Sequence, residues 1–418
     1  MPKFHPFKAQ TPTKEVMAMK DTHPYMELVH RVQMPLGRME STDPAYHDEI
    51  LLKAREALQK ILHQSLWTSY STDSSYVLYQ STYRDVTQTG IIGLCEATDI
   101  GTKILPHEQI LQDRSAVIAH WLQEMDLQWT PIFLSYRYNH SLYALQSSVV
   151  KKPCDFQYAL ANHTRVSLWY ISDKDQIQAF HDAVYKIPRL YIADGHHRAA
   201  ACQIQSVEDS GKPLEKAHSR HRLMLSILMA DRDLKIYPFY RRIRNDQGPI
   251  PFWEILDKLK TIFQLKPCSL EQRFYQYLPA GHFLLVHKEG CWLLQPLSKP
   301  EKSIPKPENT NIPSTTTDVQ WLQENVLGPI CGINNPTTDP RIDFGSMNLT
   351  LENFRIILQE AATEFILIPR APRTEEVFGT ADRGEFMPPK STSFEPKIPS
   401  GLVVYRPSEH SKQKTPTC

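Results

Sequence analysis

Arg189-Leu-Tyr-Ile-Ala-Asp-Gly-His-His-Arg-Ala-Ala-Ala-Cys202 is the stretch on which the fold turns. It places a short apolar run, an Asp-Gly pair and a series of strong helix formers in one line, which predicts a strand, a tight turn and a helix start in succession. A helix opening in this way points its first backbone amides and the positive end of its dipole at the turn. His196, His197 and Arg198 add side-chain donors at the same place. The turn therefore reads as an anion pocket in miniature. Asp194 has three roles open to it, capping the helix, holding a metal ion or acting as acid or base, and the residues alone do not choose. A plainer alternative leaves the turn without a ligand, with Asp194 only capping, the histidines on the surface and Arg198 paired to a carboxylate. A zinc site at His196 and His197 is disfavoured, because adjacent imidazoles diverge and no matching Cys or His spacing lies nearby.

Outward from this unit, apolar periodicity alternates between the two secondary-structure types. Strands are expected at Ser75–Gln80, Thr89–Ala97, Trp129–Arg137, Ser167–Ile171, Leu223–Met229 and Leu234–Phe239, and helices over Asp43–Trp67, Ile110–Met125 and Gln176–Val184. The fold class is therefore α/β, with a mixed sheet. After Pro251 the pattern changes to helices at Phe252–Phe263 and Leu270–Leu278 and a hairpin, His282–His287 with Cys291–Gln295. The Pro-, Lys-, Ser- and Thr-rich run Pro296–Thr317 follows. Beyond it, helices are expected at Asp318–Val326 and Thr350–Thr363 and strands at Glu364–Pro369 and Leu402–Tyr405. The expected organisation is a core over residues 1–250, a small α+β insertion over 251–300, a linker over 301–317, a C-terminal segment over 318–406 that returns to the site, and a frayed tail over 407–418.

A chain of 418 residues exceeds the usual limit of a single core, so two domains or large insertions are expected. Lys and Arg number 47 against 46 Asp and Glu, a balance that supplies no global field to recruit nucleic acid or anionic lipid; any anion binding is local. The lysine-dotted first residues lack the apolar stretch of a secretory signal, and the longest apolar runs are strand-sized, well short of the roughly 20 residues a membrane helix needs. Seven widely spaced cysteines without a Cys-x-x-Cys pair suggest neither a disulfide framework nor a zinc site. Reduced, mostly buried thiols and a cytoplasmic location are the expectation.

Two further stretches carry chemistry-bearing residues. In Met387-Pro-Pro-Lys-Ser-Thr-Ser-Phe-Glu-Pro-Lys397, Lys390 with Ser391 and Thr392 makes a phosphate-binding set on a proline-stiffened backbone, without the glycines of a Walker loop. Pro106-His107-Glu108 leads into the stretch holding Asp113, Arg114 and His120, where a carboxylate at a helix start ordinarily answers the dipole. The cluster His218, Arg220, His221 and Arg222 reads as a solvated basic turn.

Taken together, Pro6-Phe7-Lys8-Ala9, Thr89-Gly90, His107-Glu108, Asp113-Arg114, Pro131–Leu134, Ala193–Arg198, Thr338-Asp339 with Arg341-Ile342, and Met387–Gly401 resemble the family catalogued as domain of unknown function 1015. The Asp-Gly-His-His-Arg turn is also similar to the phosphate-binding motif shared by ParB-like nucleotide-binding proteins, sulfiredoxin and free-serine kinases. That resemblance implies a ParB/sulfiredoxin-like core. It makes Glu108 a candidate base, Asp194 a metal or hydroxyl partner, and Gly195, His196, His197 and Arg198 phosphate ligands, His197 with a catalytic share. Lys390, Ser391 and Thr392 would join the phosphate or nucleotide site, with Arg114, Arg241, Glu395 and Lys397 as substrate contacts. The sequence departs from the resemblance near the N-terminus, where Thr13–Met26 lacks the Pro-Pro-Tyr-Asp segment of relatives, and at Ile110, where relatives often carry threonine.

The expected function is a small-molecule phosphotransferase acting on free serine or a similar hydroxyl metabolite, with Mg2+ as cofactor and ATP, ADP or pyrophosphate as possible donors. A phosphoserine phosphatase or transphosphorylase would use the same residues. A non-catalytic nucleotide sensor is the alternative from another class. The expected partners are a small-molecule substrate and its phosphoryl donor, with no nucleic acid and no membrane; residue pattern leaves the oligomeric state and the direction of transfer open.

Overall fold

The computed structural model describes all residues except 19–22, 33–43, 70–72, 84–85, 111, 161–163, 211–221, 249, 271–277, 298–316, 396 and 411–418. The chain divides into two units. The first comprises Met1–Pro106, Ile110–Leu234 and Lys397–Cys418, and the second His107–Gln109 and Lys235–Pro396.

The first unit is built on a nine-stranded mixed sheet. Its strands run in the order Ile104–Leu105, Leu190–Asp194, Ile132–Tyr136, Leu223–Ala230, Val86–Glu96, Tyr76–Tyr83, Arg165–Ile171, Phe156–Ala159, with Phe4–His5 paired separately on Val86–Glu96. Leu190–Asp194 runs parallel to Ile104–Leu105 and antiparallel to Ile132–Tyr136, and Leu223–Ala230 runs parallel to Ile132–Tyr136. The central strands are continuous apolar runs because both faces are covered. Leu223-Met-Leu-Ser-Ile-Leu-Met-Ala230 is buried almost throughout. One face carries the core formed by Leu78, Ile91, Leu134, Phe180, Val184, Ile192 and Cys202, to which the Lys174–Tyr185 and His196–Ser210 helices contribute.

The C-terminal residues belong to this first unit. Tyr25 donates its hydroxyl to the Gly401 carbonyl at 2.7 Å, and the Gly401 amide donates to Trp129 at 2.8 Å. The Val404 and Tyr405 amides bond the carbonyls of Gln10 and Gln128. These single bridges replace the strand expected over Leu402–Tyr405: the residues are buried, but no run of partners lies beside them to make a ladder. The frayed tail expected from residue 407 is instead helical over Pro407–His410, where Ser408 donates its amide to Asp126; residues 411–418 lie outside the described residues.

The second unit contains a six-stranded, wholly antiparallel sheet in the order Phe263–Cys268, Gly290–Pro296, Phe283–His287, Thr363–Pro369, Phe239–Arg244, Ile342–Ser346. Side chains alternate between two cores on its faces. Phe263, Phe283, Leu285 and Leu367 pack on one side with Leu256, Leu259 and Leu322, and Leu284, Val286, Ile366 and Ile368 pack on the other with Phe354.

Several sequence expectations change here. The boundary drawn at residue 250 falls after Leu234, and the 251–300 stretch is no separate insertion, since its strands share one sheet with Ile342–Ser346 and Thr363–Pro369. The single strand expected over Leu234–Phe239 is two, Lys235–Tyr237 and Phe239–Arg244, in different sheets. Pro238, which lacks an N–H to donate to a ladder, stands between them. The helix from Phe252 ends at Leu259, and Phe263 opens a strand, because its apolar partners lie across the sheet. The helix expected over Leu270–Leu278, most of the Pro296–Thr317 linker and most of the His218–Arg222 cluster fall outside the described residues.

Candidate active site at the Asp194 turn

The predicted strand, turn and helix are present as Leu190–Asp194, Gly195 and His196–Ser210. The first helical bond runs from the Ala199 amide to the Gly195 carbonyl at 2.9 Å, so the amides of His196, His197 and Arg198 precede the helix's own ladder. Gly195 is required twice over. Its φ of +96° lies in the left-handed region, and a Cβ there would meet the Arg198 guanidinium, with Nη2 at 2.9 Å.

Arg198 folds back over the turn. Its Nη2 donates to Asp194 Oδ2 at 3.0 Å, and its Nη1 donates to the carbonyls of Thr130 at 2.6 Å and Pro131 at 3.0 Å. The pairing with a carboxylate follows the plainer of the two sequence readings, although the partner is Asp194 itself. Burial lowers the guanidinium's pKa, and the adjacent Asp194 charge opposes that shift. The other Asp194 oxygen, Oδ1, accepts from Lys397 Nζ at 2.7 Å. Two cations thus stand against one carboxylate at a helix N-terminus, and Lys397, half exposed, carries the outer charge.

The remaining first-unit residues flank this cluster. His196 is buried, and His197 Nδ1 lies 3.2 Å from the buried Ser115 hydroxyl on the Gln112–Met125 helix. That helix packs on His196–Ser210 through Ile118, Ala119 and Ala201. A Gln205 side-chain donor to the Ala119 carbonyl fixes the two helices further. Arg114, half buried, sits one residue before Ser115 on the same helix.

Glu108, Arg241, Lys390, Ser391, Thr392 and Glu395 belong to the second unit. There His107–Gln109 joins the 387–395 loop. Met387 donates its amide to the His107 carbonyl at 2.8 Å, Glu108 and Met387 form a parallel bridge, and His107 Nε2 lies 3.0 Å from the Thr392 hydroxyl. Lys390 has a φ of +58°, a left-handed conformation that costs a non-glycine residue about 1–2 kcal/mol. Three contacts hold the loop in place. The Ser391 hydroxyl donates to Pro388 O, the Ser346 hydroxyl donates to Ser393, and Arg241 Nη2 donates to the Lys390 carbonyl at 3.2 Å. Arg241 Nη1 also donates to Phe239 O at 2.6 Å, and the Lys390 ammonium lies 5.6 Å from the Phe239 ring. Arg241 is 2% exposed, and burial alone pushes its pKa down, to about 9. Glu395 stands opposite Lys235 in the Lys235–Tyr237 and Ser393–Glu395 pairing.

Sequence reasoning named Glu108, Arg114, Asp194–Arg198, Arg241, Lys390–Thr392, Glu395 and Lys397, but missed Ser115, Thr130 and Phe239 and what Arg241 and Lys397 attach to. Asp194 lies far along the chain from Lys397, as Lys390 does from Arg241, and no local pattern marks such contacts. Among the described residues no group of three or more His, Cys, Asp or Glu side chains is placed to hold a metal ion. Magnesium bound through ligand phosphates needs only one or two protein carboxylates, and Asp194 is the carboxylate at the turn. Among the same residues no helix is long and apolar enough to cross a membrane.

The fold and turn define a mixed α/β protein with cationic side chains gathered at a helix N-terminus. The chain belongs to the family described as protein of unknown function, DUF1015, whose model matches residues 6–319. No curated protein matches it. Among solved structures it is similar to a free serine kinase in complex with AMP, at 16% identity and a TM-score of 0.38, covering 76% of this chain and 92% of that one. A conserved hypothetical protein from Pyrococcus furiosus is similar at 15% identity and a TM-score of 0.36, covering 76% and 96%. SbnI with a C-terminal truncation, from Staphylococcus aureus, is similar at 10% identity and a TM-score of 0.36, covering 74% and 85%.

Proposed function

We propose that this protein transfers a phosphoryl group to a small hydroxyl metabolite of the free-serine type, with the phosphate bound at the Asp194 turn. The observation that carries the reading is the left-handed Gly195 opening a long helix, with Arg198 and Lys397 gathered on Asp194. An anionic ligand at this point meets the helix dipole and the first-turn amides, and it competes with Asp194 for the Lys397 ammonium. His196 and His197 supply imidazole donors there, and Arg198 fixes the turn geometry. In the same proposal Arg114, on the helix packed against His196–Ser210, bears on substrate binding; within the second unit Glu108, as a proton acceptor, joins the phosphate-binding set Lys390, Ser391 and Thr392, with Arg241 and Glu395 as further polar groups. Mg2+, carried by the phosphates, supplies further charge neutralisation.

Phosphorus NMR of the purified protein mixed with serine, Mg2+ and a panel of ATP, ADP, pyrophosphate and phosphoserine tests the reading. A phosphomonoester resonance that needs both serine and a donor is the expected result. Release of inorganic phosphate from phosphoserine alone would assign the hydrolytic direction to the same residues. Absence of turnover with every donor, in protein whose melting temperature rises with nucleotide, would replace the enzyme with a nucleotide sensor.

A further inference from the structure

The sequence gives no reason to pair any two cysteines, yet two of them meet in the second unit. Cys268 ends the outermost strand of the six-stranded sheet and stands directly opposite Cys291 on the neighbouring strand. Their sulfurs are 3.2 Å apart, with the Cys268 thiol donating to Cys291. Both side chains join the same apolar cluster as Leu284 and Val286, so they project from one face of the sheet. Directly opposed antiparallel residues have Cα atoms about 4.5–5.5 Å apart, inside the roughly 4.4–6.8 Å that a disulfide spans. A bond can therefore form without moving either strand. The other described cysteines have no such opposite number: Cys95, Cys202 and Cys331 are buried singly, and Cys154 is half-buried.

We propose that Cys268 and Cys291 are an oxidisable dithiol that exchanges with low-molecular-weight disulfides. Accessibility sets the order of events, since Cys268 is half-buried at the sheet edge and Cys291 is buried. The Cys268 thiolate attacks one sulfur of the small disulfide. The S–S bond of that molecule breaks, a mixed disulfide forms on Cys268, and one thiol leaves with the displaced proton. Cys291 then attacks the Cys268 sulfur, and the second small thiol departs with the Cys291 proton. The protein is oxidised by two electrons and the small disulfide is reduced to two thiols. Burial and the neighbouring sulfur raise the Cys291 thiol's pKa, which disfavours it as the thiol that begins the exchange. The product staples the outer strand to the sheet and closes the loop between the two residues, a constraint that falls mainly on the unfolded chain.

The test uses the full-length protein without denaturant, exposed to oxidised glutathione, with remaining thiols alkylated and masses read on intact protein and non-reduced peptides. The wild type should lose two hydrogens and yield one linked peptide pair containing Cys268 and Cys291. The Cys291→Ser variant should retain one glutathione on Cys268, and Cys268→Ser should take none at position 291. Both residues remaining alkylatable in the wild type would overturn the proposal, as would glutathione accumulating on Cys268 without an internal bond, or a link to a different cysteine. Should Cys291→Ser not fold, the wild-type masses decide alone. None of these readouts depends on the phosphotransferase reading.

Discussion

The Asp194 turn in the first unit and the Lys390 loop in the second both gather positive charge around left-handed backbone, and they settle that charge differently. At the turn, Arg198 and Lys397 share the Asp194 carboxylate. In the loop, Arg241 is buried against backbone carbonyls and the Phe344 ring, 5.5 Å away, and among the described residues no carboxylate pairs with it. A buried charge that has its counter-ion has its desolvation cost offset by the pairing, whereas one buried without a counter-ion retains an electrostatic demand that an anion would meet. The turn thus keeps one positive charge in excess, on the outward Lys397, and the loop holds Lys390 in strained backbone by means of a cation that no described carboxylate neutralises.

The largest effect that sharpens this contrast is kinetic. Arg198→Ala should lower phosphoryl transfer on the order of 100-fold. Unchanged turnover of every donor, followed by phosphorus NMR, would remove the turn from the chemistry. Next comes stability. Arg198→Met removes one of the two cations on Asp194 and the donor of two carbonyls, and should cost roughly 3 kcal/mol in urea unfolding. Arg241→Met also strands two carbonyls but relieves the burial of an unpaired charge, so about 1 kcal/mol is expected. Equal losses for the two variants would show that the carboxylate makes no difference.

Gly195→Ala should cost about 1–3 kcal/mol, because alanine resists the left-handed region and its Cβ would displace Arg198. A melting temperature equal to that of the wild type would contradict the close approach. The smallest stability effect belongs to Lys397→Gln, an exposed pair expected to contribute no more than about 0.5 kcal/mol. Its informative readout is donor KM, which should rise while the melting temperature stays near the wild-type value.

Much of the site was legible because it is local. The run Leu190–Ala193 followed by Asp194-Gly195 and the alanines encodes strand, turn and helix within a few residues of one another, and each step has its own propensity. Elements with sharp punctuation were equally readable, such as the hairpin of Phe283–His287 and Gly290–Pro296. Reading failed where local pattern competes with distant partners. Leu402–Tyr405 has strand composition but only bridges at Gln10 and Gln128, and Phe263 fits the periodicity of the preceding helix but pairs across a sheet.

By itself, the sequence determined the mixed α/β class, the Asp-Gly turn ahead of the His196–Ser210 helix and the donors assembled there, since these follow from steric and dipolar preferences acting over a handful of residues. Only the tertiary structure decided that Lys397, rather than any neighbour in sequence, reaches Asp194, that Arg198 reaches the carbonyls of Thr130 and Pro131, and that Cys268 faces Cys291. Those contacts join residues whose separation along the chain carries no periodic signal. They exist because burying the apolar faces of strands and helices fixes the register of everything attached to them.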